Sequence, residues 1–216
     1  MARKTKAEAL KTRQMLIESA IEQFARNGVA STTLTDIADA AGVTRGAVYW
    51  HFTSKIDIFN AIWEQQAPLR DIIYHQTKED VHANPLIHLR NQFVTALQYI
   101  AADTRLRALM QILYHRCEFI DDMMPEEEIR QKIGFSYENV RQVLKESIAM
   151  GVLPADININ IVLIMLHGFF SGVIKNWLMA PEKFDLYLHA PELVDNIMLA
   201  VKATSTRPVI KEAIAC

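Results

Sequence analysis

Residues 33–52, which read TLTDIADAAGVTRGAVYWHF, constrain this chain more than any other stretch. Thr33 is followed three residues later by Asp36, a near capping box for a short helix whose apolar residues recur at helical spacing. Gly42 is predicted to end that helix, because a residue without Cβ adopts the left-handed conformation of a tight turn. Thr44 is then placed to cap a second short helix. The pattern predicts two helices joined by a glycine turn.

The second of these helices has an outward surface suited to DNA. Val48 and Phe52, one turn apart, are predicted to hold the helix to the core. A cation, a glycine and two amphipathic rings are then left facing outward: Arg45, Gly46, Tyr49 and Trp50. Such a surface on the second helix is typical of a DNA-reading helix-turn-helix. The alternative is an ordinary helical hairpin, since many bundles contain two helices and a glycine turn.

Two neighbouring features favour DNA over that alternative. Within the first fourteen residues Glu8 is the single acid against five bases, Arg3, Lys4, Lys6, Lys11 and Arg13. Charge alone would equally allow a merely soluble tail, but beside the helix-turn-helix we favour an arm that contacts phosphate. Lys55 lies in the first turn of the next helix, where a cation is unfavourable, which suggests an anion outside the chain.

Composition bounds the class of protein. The chain has 216 residues, of which 50% are hydrophobic and 22% charged, so it can bury a substantial core. Its two cysteines, Cys117 and Cys216, make no disulfide framework and fit a reducing cytoplasm. No apolar signal sequence opens the chain, and the longest apolar segment, residues 161–174, is shorter than the roughly 18 residues of a membrane span. We expect a cytoplasmic protein with no membrane partner.

Helical periodicity continues to the end of the chain without a β-hairpin pattern, so the predicted fold is all-α. We expect a three-helix DNA-binding domain over residues 1–53 and a helical bundle for ligand binding and dimerisation over residues 54–216. The predicted helices outside the motif cover residues 8–27, 55–67, 69–74, 86–101, 103–115, 126–150, 158–179 and 191–202.

The helix over residues 158–179 is apolar on nearly every face and must be covered on all sides. A central position in the bundle and contact with a second subunit are both open from this helix alone. A helix-turn-helix needs two copies to read a palindrome, so we favour a homodimer. The seam would be formed largely by this helix and residues 191–202, with Gly168 and Gly172 allowing close approach.

Other chemistry is weakly indicated. His115, Cys117, Glu118, Asp121 and Asp122 form the one cluster that resembles a catalytic or metal site. Zinc ligands usually come as two spaced pairs, and a cysteine nucleophile needs a positioned base; neither is evident. We therefore predict no catalytic residue, metal or cofactor. A bundle rich in aromatic and methionine side chains, with polar groups such as Gln66 and Ser171, could instead enclose an apolar ligand.

The motif residues, together with Lys55 and Phe59, resemble the TetR family of bacterial regulators, and specifically its AcrR-like subgroup, which represses multidrug efflux operons. The segments around residues 2–13, 115–119 and 176–186 extend the resemblance over the chain. It implies that Thr33 and Thr44 contact phosphate, and that Arg45 and Gly46 contact base edges. It also implies that Tyr49, Trp50, His51 and Lys55 mainly hold the DNA backbone.

The resemblance further implies a drug-sized, mostly apolar ligand site with residues Trp63, Gln66, Met110, Tyr114, Phe170 and Ser171. Some relatives place an acid one turn after Trp63, but here that position is Ala67, so a preference for cationic ligands does not carry over. The expected function is repression of a multidrug efflux operon by a homodimer on double-stranded operator DNA, released by a hydrophobic small-molecule inducer. The alternatives are a helical regulator of another small-molecule pathway, a structural helical dimer, and a helical enzyme that uses His115 and Cys117.

Overall fold

The structure, a computed structural model, describes residues 6–77, 84–133 and 137–204. Every regular element in these ranges is helical, which confirms the all-α prediction. The α-helices are α1 Lys6–Asn27, α2 Leu34–Ala40, α3 Arg45–His51, α4 Lys55–Gln65, α5 Leu69–Thr77, α6 Pro85–Ala102, α7 Thr104–Gln111, α8 Glu126–Ile133, α9 Tyr137–Ala149, α10 Ile159–Met179 and α11 Leu186–Ala203. A π-helical turn, Ile112–Arg116, continues α7, and a 3-10 turn, Pro181–Lys183, precedes α11.

Local sequence sets most helix starts and stops. Thr33, Thr44, Ser54, Asp103, Asn158 and Asp185 each accept a hydrogen bond from a backbone N–H of the following first turn. These caps satisfy donors that have no partner within the helix. Gly28 after α1 and Gly42 after α2 have φ of 87° and 66°, as predicted for left-handed turn positions.

One predicted helix differs from the structure, and another is described only in part. The single helix expected over residues 126–150 corresponds to α8 and α9 over the described residues, and its central part, residues 134–136, lies outside the described ranges. The last helix was expected to begin at Pro191, because proline is favoured in a first turn. It begins at Leu186 instead, with Asp185 as its cap and Pro191 inside it.

A partner from another helix explains why Pro191 is tolerated. Proline has no N–H to donate to the carbonyl four residues earlier, which here is that of Tyr187. The Gln98 side chain on α6 donates to this carbonyl at 3.2 Å. The acceptor that proline leaves unsatisfied therefore has a donor, so the helix continues through residue 191.

The chain divides into two compact units. The first contains residues 1–68 and 103–134, and the second contains residues 69–102 and 135–216. The first unit thus holds α1–α4 together with α7, the π-helical turn and α8. The functional boundary between residues 53 and 54 stays a prediction, and it does not coincide with a boundary in packing, because α4 lies in the same unit as α1–α3.

The first unit has one apolar core. Leu16, Ile17 and Phe24 of α1 are fully buried, as are Ile58, Phe59 and Trp63 of α4. The Phe59 ring is the centre of an aromatic cluster, with its centroid 6.5, 5.9 and 6.2 Å from those of Phe24, Trp63 and Phe119. Burial of each such aromatic side chain contributes on the order of 2 kcal/mol. This shared core holds α4 against α1.

In the second unit α6 packs most extensively on α11, and also on α5 and α9. Arg90 of α6 makes a two-pronged ion pair with Asp195 of α11, at 2.7 and 2.9 Å, and this lowers the pKa of the Asp195 carboxyl. The face of α10 with Val162, Leu166 and Phe170 is buried.

The apolar helix α10 agrees in extent with the helix predicted over residues 158–179, and it is longer than the apolar segment 161–174 within it. Its 21 residues include an 18-residue window of mean hydropathy 1.5, of which 39% is buried. By length and composition alone it could cross a membrane, so the argument that its apolar segment is too short was wrong. A core helix of a soluble protein passes the same test.

Candidate functional site

The two threonines that open α2 and α3 are fixed by their own helices. The Thr33 hydroxyl accepts from the Asp36 N–H at 3.2 Å and donates to Asp36 Oδ2 at 2.7 Å. The Thr33 N–H donates to the same carboxylate oxygen at 2.7 Å, which completes a capping box. These hydrogen bonds lower the pKa of the Asp36 carboxyl. The Thr44 hydroxyl caps α3 by accepting from the Ala47 N–H at 3.3 Å.

The predicted division of α3 into an inner and an outer face is confirmed. Val48 and Phe52 are buried, whereas Trp50 is 73% and Tyr49 is 49% exposed. The His51 ring makes an edge contact with the Trp50 ring, with centroids 4.7 Å apart. A soluble helix that leaves two large rings on its surface, beside a cation, has an outer face shaped for another molecule.

Arg45 and Tyr49 form a pair along this outer face. Arg45 Nη2 donates to the Tyr49 hydroxyl at 3.0 Å, and the guanidinium carbon lies 5.5 Å from the centre of the Tyr49 ring. The tyrosine thus orients the arginine one turn away while its other N–H donors face solvent. A guanidinium held in this way is prepared for two-pronged hydrogen bonding to a guanine edge or a phosphate.

Gly46 has room for a side chain within the fold. A Cβ added there would meet only the Thr44 hydroxyl, at 3.9 Å, which is ordinary contact. Glycine inside a helix costs up to about 1 kcal/mol relative to alanine. Packing within the described part of the chain does not require this glycine, whereas close approach of a DNA backbone or base edge would.

Lys55 has an acceptor within the chain. Its Nζ donates to the Ala30 carbonyl at 2.8 Å, and partial burial lowers its pKa. This cation at a helix start therefore has a partner within the chain, and the outside anion that the sequence suggested stays a prediction. The contact instead ties the start of α4 to the connector before α2. A DNA contact by Lys55 stays a prediction, now with a structural role beside it.

The basic arm is described only in part, since Arg3 and Lys4 lie outside the described residues. Lys6 and Lys11 are exposed on α1. The Arg13 guanidinium lies 4.7 Å from the centre of the Phe52 ring, so this member of the arm packs against the residue that ends α3. Arg13 thus contacts the end of the helix-turn-helix, whereas Lys11 stays exposed, and contact of the arm with phosphate stays a prediction.

The six predicted ligand residues divide between the units. Trp63, Gln66, Met110 and Tyr114 lie in the first unit, and Phe170 and Ser171 lie in the second. Trp63 and Met110 are buried, and the Trp63 indole N–H has no hydrogen-bond partner. Tyr114 lies under the Arg130 guanidinium at 4.9 Å, and the Phe170 ring lies 4.4 Å from that of Phe93. Their role in ligand binding stays a prediction.

Four residues bind the C-terminal half of α4 and its capping residue Gln66, and none of these contacts was predicted from the sequence. The Asn60 amide donates to the Asp122 carbonyl at 2.9 Å and accepts from the Met124 N–H at 2.7 Å. Lys132 Nζ donates to the Trp63 carbonyl at 3.1 Å, and Arg105 donates to the Gln66 side chain at 2.6 Å. No local pattern reveals these partners, which are separated from α4 by dozens of residues.

A backbone contact also links α1 to the π-helical turn. The Val29 N–H, just after α1, donates to the Arg116 carbonyl at 2.8 Å. A π-helical turn widens the helix and changes where its carbonyls point, and such turns are frequent at functional sites. Here the last carbonyl of the turn, residue 116, binds the connector that leads into α2.

Comparison with known proteins identifies the family. Residues 16–62 match the tetR family of bacterial regulatory proteins, and residues 84–202 match the C-terminal region of MAATS-type transcriptional repressors. The chain is 50% identical over 198 residues to the probable acrEF/envCD operon repressor of Escherichia coli strain K12, covering 92% of this chain and 90% of that protein. The chain belongs to the TetR family. Its helix-turn-helix is therefore that of a DNA-binding transcriptional regulator.

Two solved structures of family members share the fold. NalD, the secondary repressor of the MexAB-OprM multidrug efflux pump in Pseudomonas aeruginosa, is 31% identical with a TM-score of 0.72, covering 90% of this chain and 97% of NalD. SmeT of Stenotrophomonas maltophilia in complex with triclosan is 29% identical with a TM-score of 0.68, covering 92% and 97% of the two chains. The resemblance drawn from the motif residues is confirmed at the level of the family.

The cluster around Cys117 has little nucleophilic character. Burial, followed by the charges of Glu126 and Glu118, raises the pKa of the Cys117 thiol to about 11. A thiol with this pKa is almost wholly protonated at neutral pH, whereas nucleophilic cysteines have lowered values. Within the described ranges no group of three or more His, Cys, Asp or Glu side chains is arranged to hold a metal ion.

Proposed function

We propose that this protein is a dimeric repressor that binds double-stranded operator DNA and is released by a hydrophobic, drug-like small molecule. The regulated genes would encode a multidrug efflux pump, as the names of its relatives suggest. The observation that carries the proposal is the outer face of α3. It presents a positioned guanidinium, a glycine that packing does not require and two exposed rings, on the helix that a TetR-family protein uses for DNA.

The face divides into residues that position the protein and a residue that reads sequence. Thr33 and Thr44 lie at helix starts, where backbone N–H groups and threonine hydroxyls bind phosphate. Tyr49, Trp50 and His51 would contact the sugar-phosphate backbone. Arg45, with donors still directed to solvent, would read a base edge in the major groove, and Gly46 would let the helix approach it closely.

The second recognition helix, needed for the other DNA half-site, would come from a partner subunit joined through α10 and α11. On α10 the side chains of Ile161, Ile164 and Met179 are 55, 68 and 71% exposed, and a Cβ at Gly168 or Gly172 would meet nothing within 4 Å. These positions follow helical spacing and form one face, which is apolar or small-residue from Ile161 to Gly172 and carries the exposed Lys175 before Met179. Leu188 and Leu199 of α11 are also exposed. We infer that this face packs against α10 and α11 of a second copy of the chain.

Release would follow from movement of α4. In the first unit α4 is bound near its start to Ala30 and along its second half to residues 105–132. A ligand that rearranges the second group would shift α4, and with it the helix-turn-helix. Two recognition helices must match half-sites about one DNA turn, roughly 34–36 Å, apart, so a small shift suffices to weaken binding. Allosteric coupling of about 1–3 kcal/mol is typical.

We also infer that the chain works in the cytoplasm, where its operator lies, and that it is not an enzyme. The protonated Cys117 thiol argues against nucleophilic catalysis at the one cluster that suggested it. Alkylation of the Cys216→Ser variant with iodoacetamide at pH 8 tests this. We expect modification at Cys117 to be about a hundredfold slower than for an ordinary thiol of pKa about 8.5. A rate equal to that of free cysteine would contradict the assignment.

The main experiment is fluorescence anisotropy with the DNA upstream of the gene, with and without triclosan. We expect tight, saturable binding of two chains per site, lost progressively as triclosan is added. A shuffled duplex of equal length and composition is the control for non-specific binding, which depends more steeply on salt. Equal affinity for both duplexes would overturn the repressor proposal.

A further inference from the structure

Arg105 of α7 connects two parts of the first unit that have different proposed roles. Its Nε lies 3.0 and 3.3 Å from the carboxylate oxygens of Glu18 on α1, one of the DNA-binding helices. Its Nη1 donates to Gln66 Oε1 at 2.6 Å, at the residue that ends α4. One planar guanidinium therefore binds α1 and the end of α4 at the same time.

Both ends of the Gln66 amide are bonded within the chain. Its side-chain oxygen accepts from Arg105 through one of its two lone pairs, and its Nε2 donates to the Ala67 carbonyl at 3.0 Å. A ligand donor that reaches the oxygen from the side of Arg105 competes with Arg105 Nη1 for the same lone pair. The resemblance to drug-binding relatives implied that Gln66 lines the ligand site, but not what its amide binds in the protein itself.

We propose that Arg105 is a positioning residue that couples ligand binding at Gln66 to the DNA-binding helices. Ligands with a hydrophobic body and a hydrogen-bond donor, such as a phenol or an amine, take the Gln66 oxygen and detach the end of α4 from Arg105. Arg105 then holds only Glu18, and the tie between α1 and α4 through this side chain is lost. The inference rests on the proposed function and specifies the ligand chemistry of the same site.

Arginine suits this position for a geometric reason. Its N–H donors are fixed in one plane, so it serves two acceptors on different helices without rearrangement, which a lysine ammonium does less well. The Arg105 and Glu18 side chains are 35% and 41% exposed, so the pair is accessible to solvent and moderate in strength. A tie of moderate strength is one that a ligand can displace.

The test compares two substitutions at Gln66 that are expected to have opposite effects on the hydrogen bond to Arg105. Gln66→Glu keeps an oxygen acceptor and adds a charge, which strengthens the bond to Arg105. Gln66→Leu removes the acceptor. The ligand is triclosan, a phenol that donates a hydrogen bond in its uncharged form. The added carboxylate therefore does not simply attract a cationic ligand. Gln65→Glu, an exposed neighbour, is the matched control for charge.

We expect Gln66→Glu to bind the operator at least as tightly as the native protein and to raise the triclosan concentration for half-release by about fivefold. Gln66→Leu should weaken operator binding without any ligand. Triclosan should weaken it further by less than in the native protein, because the bond to Arg105 is already absent. The Gln65→Glu control should change neither quantity by more than about twofold. Melting curves followed by circular dichroism check that each variant is folded.

A shift of both Gln66 variants to higher triclosan concentration, with operator affinity unchanged, would show that Gln66 is only a ligand contact and would overturn the coupling. If the native protein binds its operator and responds to triclosan, but Gln66→Leu binds the operator as tightly as Gln66→Glu does, the inference alone fails. If the native protein does not bind the upstream DNA at all, the proposed function fails.

Discussion

The outer faces of α3 and α10 both leave large side chains exposed, yet their chemistry differs. On α3 the exposed rings of Tyr49 and Trp50 have polar atoms and stand beside the Arg45 guanidinium. On α10 the exposed side chains of Ile161 and Ile164 are purely aliphatic, with Gly168 following on the same face.

The difference shows that exposure alone does not indicate what a surface binds. Amphipathic rings with a cation tolerate water and suit a hydrated polyanion, where hydrogen bonds and charge carry the affinity. Aliphatic side chains with glycines lose free energy in water and suit close helix packing, where buried area carries the affinity. The two faces thus predict different partners and different responses to salt and to substitution.

The largest effect should come from a charge on the α10 face. Ile164→Asp places a carboxylate where a partner helix is expected, and we predict that the dimer dissociates to monomers in sedimentation velocity. Operator affinity should fall by at least about a hundredfold, because a monomer lacks the effective concentration of a linked second half-site. Ile120→Asp, at a residue that is 58% exposed outside α10 and α11, is the control. A dimeric Ile164→Asp protein would show that the seam lies elsewhere.

On the α3 face, Arg45→Ala should reduce affinity for the operator by about ten- to a hundredfold, because a two-pronged contact to a base contributes about 1–3 kcal/mol of discrimination. Affinity for a random duplex should change much less, so the ratio of the two dissociation constants is the measurement. Arg26→Ala removes the same charge at an exposed site at the end of α1. If both variants lose affinity equally for both duplexes, Arg45 contributes charge and no readout.

Gly46→Ala tests whether Gly46 is required for stability or for DNA binding. The added methyl group has room, so the melting temperature should be unchanged or slightly higher. Operator binding should weaken several-fold because the methyl group would stand between α3 and the groove. Normal operator affinity would remove Gly46 from the interface, and a lower melting temperature would show an unseen packing role.

The smallest effect on DNA is expected for Lys55→Met. The loss of the hydrogen bond to the Ala30 carbonyl should lower the free energy of unfolding by about 1 kcal/mol. Operator affinity should fall slightly at every salt concentration, with the slope of log Kd against log salt unchanged. Lys11→Met changes an exposed residue of the basic arm. It should instead reduce the slope by about 1, which corresponds to the loss of one phosphate contact. A flatter slope for Lys55→Met would instead show that Lys55 contacts phosphate directly.

Features determined by neighbouring residues were the ones that the sequence predicted well. The capping box of Thr33 and Asp36, the turn at Gly42 and the burial of Val48 and Phe52 each depend on spacing within one or two helical turns. The resemblance to the TetR family depends on the same short motif. The buried and exposed sides of α3 were therefore predictable almost residue by residue, whereas its contacts with DNA stay predictions.

Features that depend on distant residues were not predictable. The Ala30 carbonyl that binds Lys55 is 25 positions away, and the Arg105 side chain that binds Gln66 is 39 positions away. Pro191 by itself indicates a helix start, and only the Gln98 side chain from α6 explains why α11 already runs through it. Periodicity indicates which face of a helix is apolar, but it does not indicate which polar side chain from another helix will reach it.

The hydrogen bond from the Val29 N–H to the Arg116 carbonyl joins main-chain atoms only. Side-chain substitutions at these two positions leave both atoms in place, and only a proline at position 29 or a change in chain length would remove the bond. The residues proposed to contact ligand lie at other positions, so their substitution leaves this bond in place. The connection from the π-helical turn to the segment before α2 would therefore persist while the side-chain bond between Arg105 and Gln66 changes with the inducer.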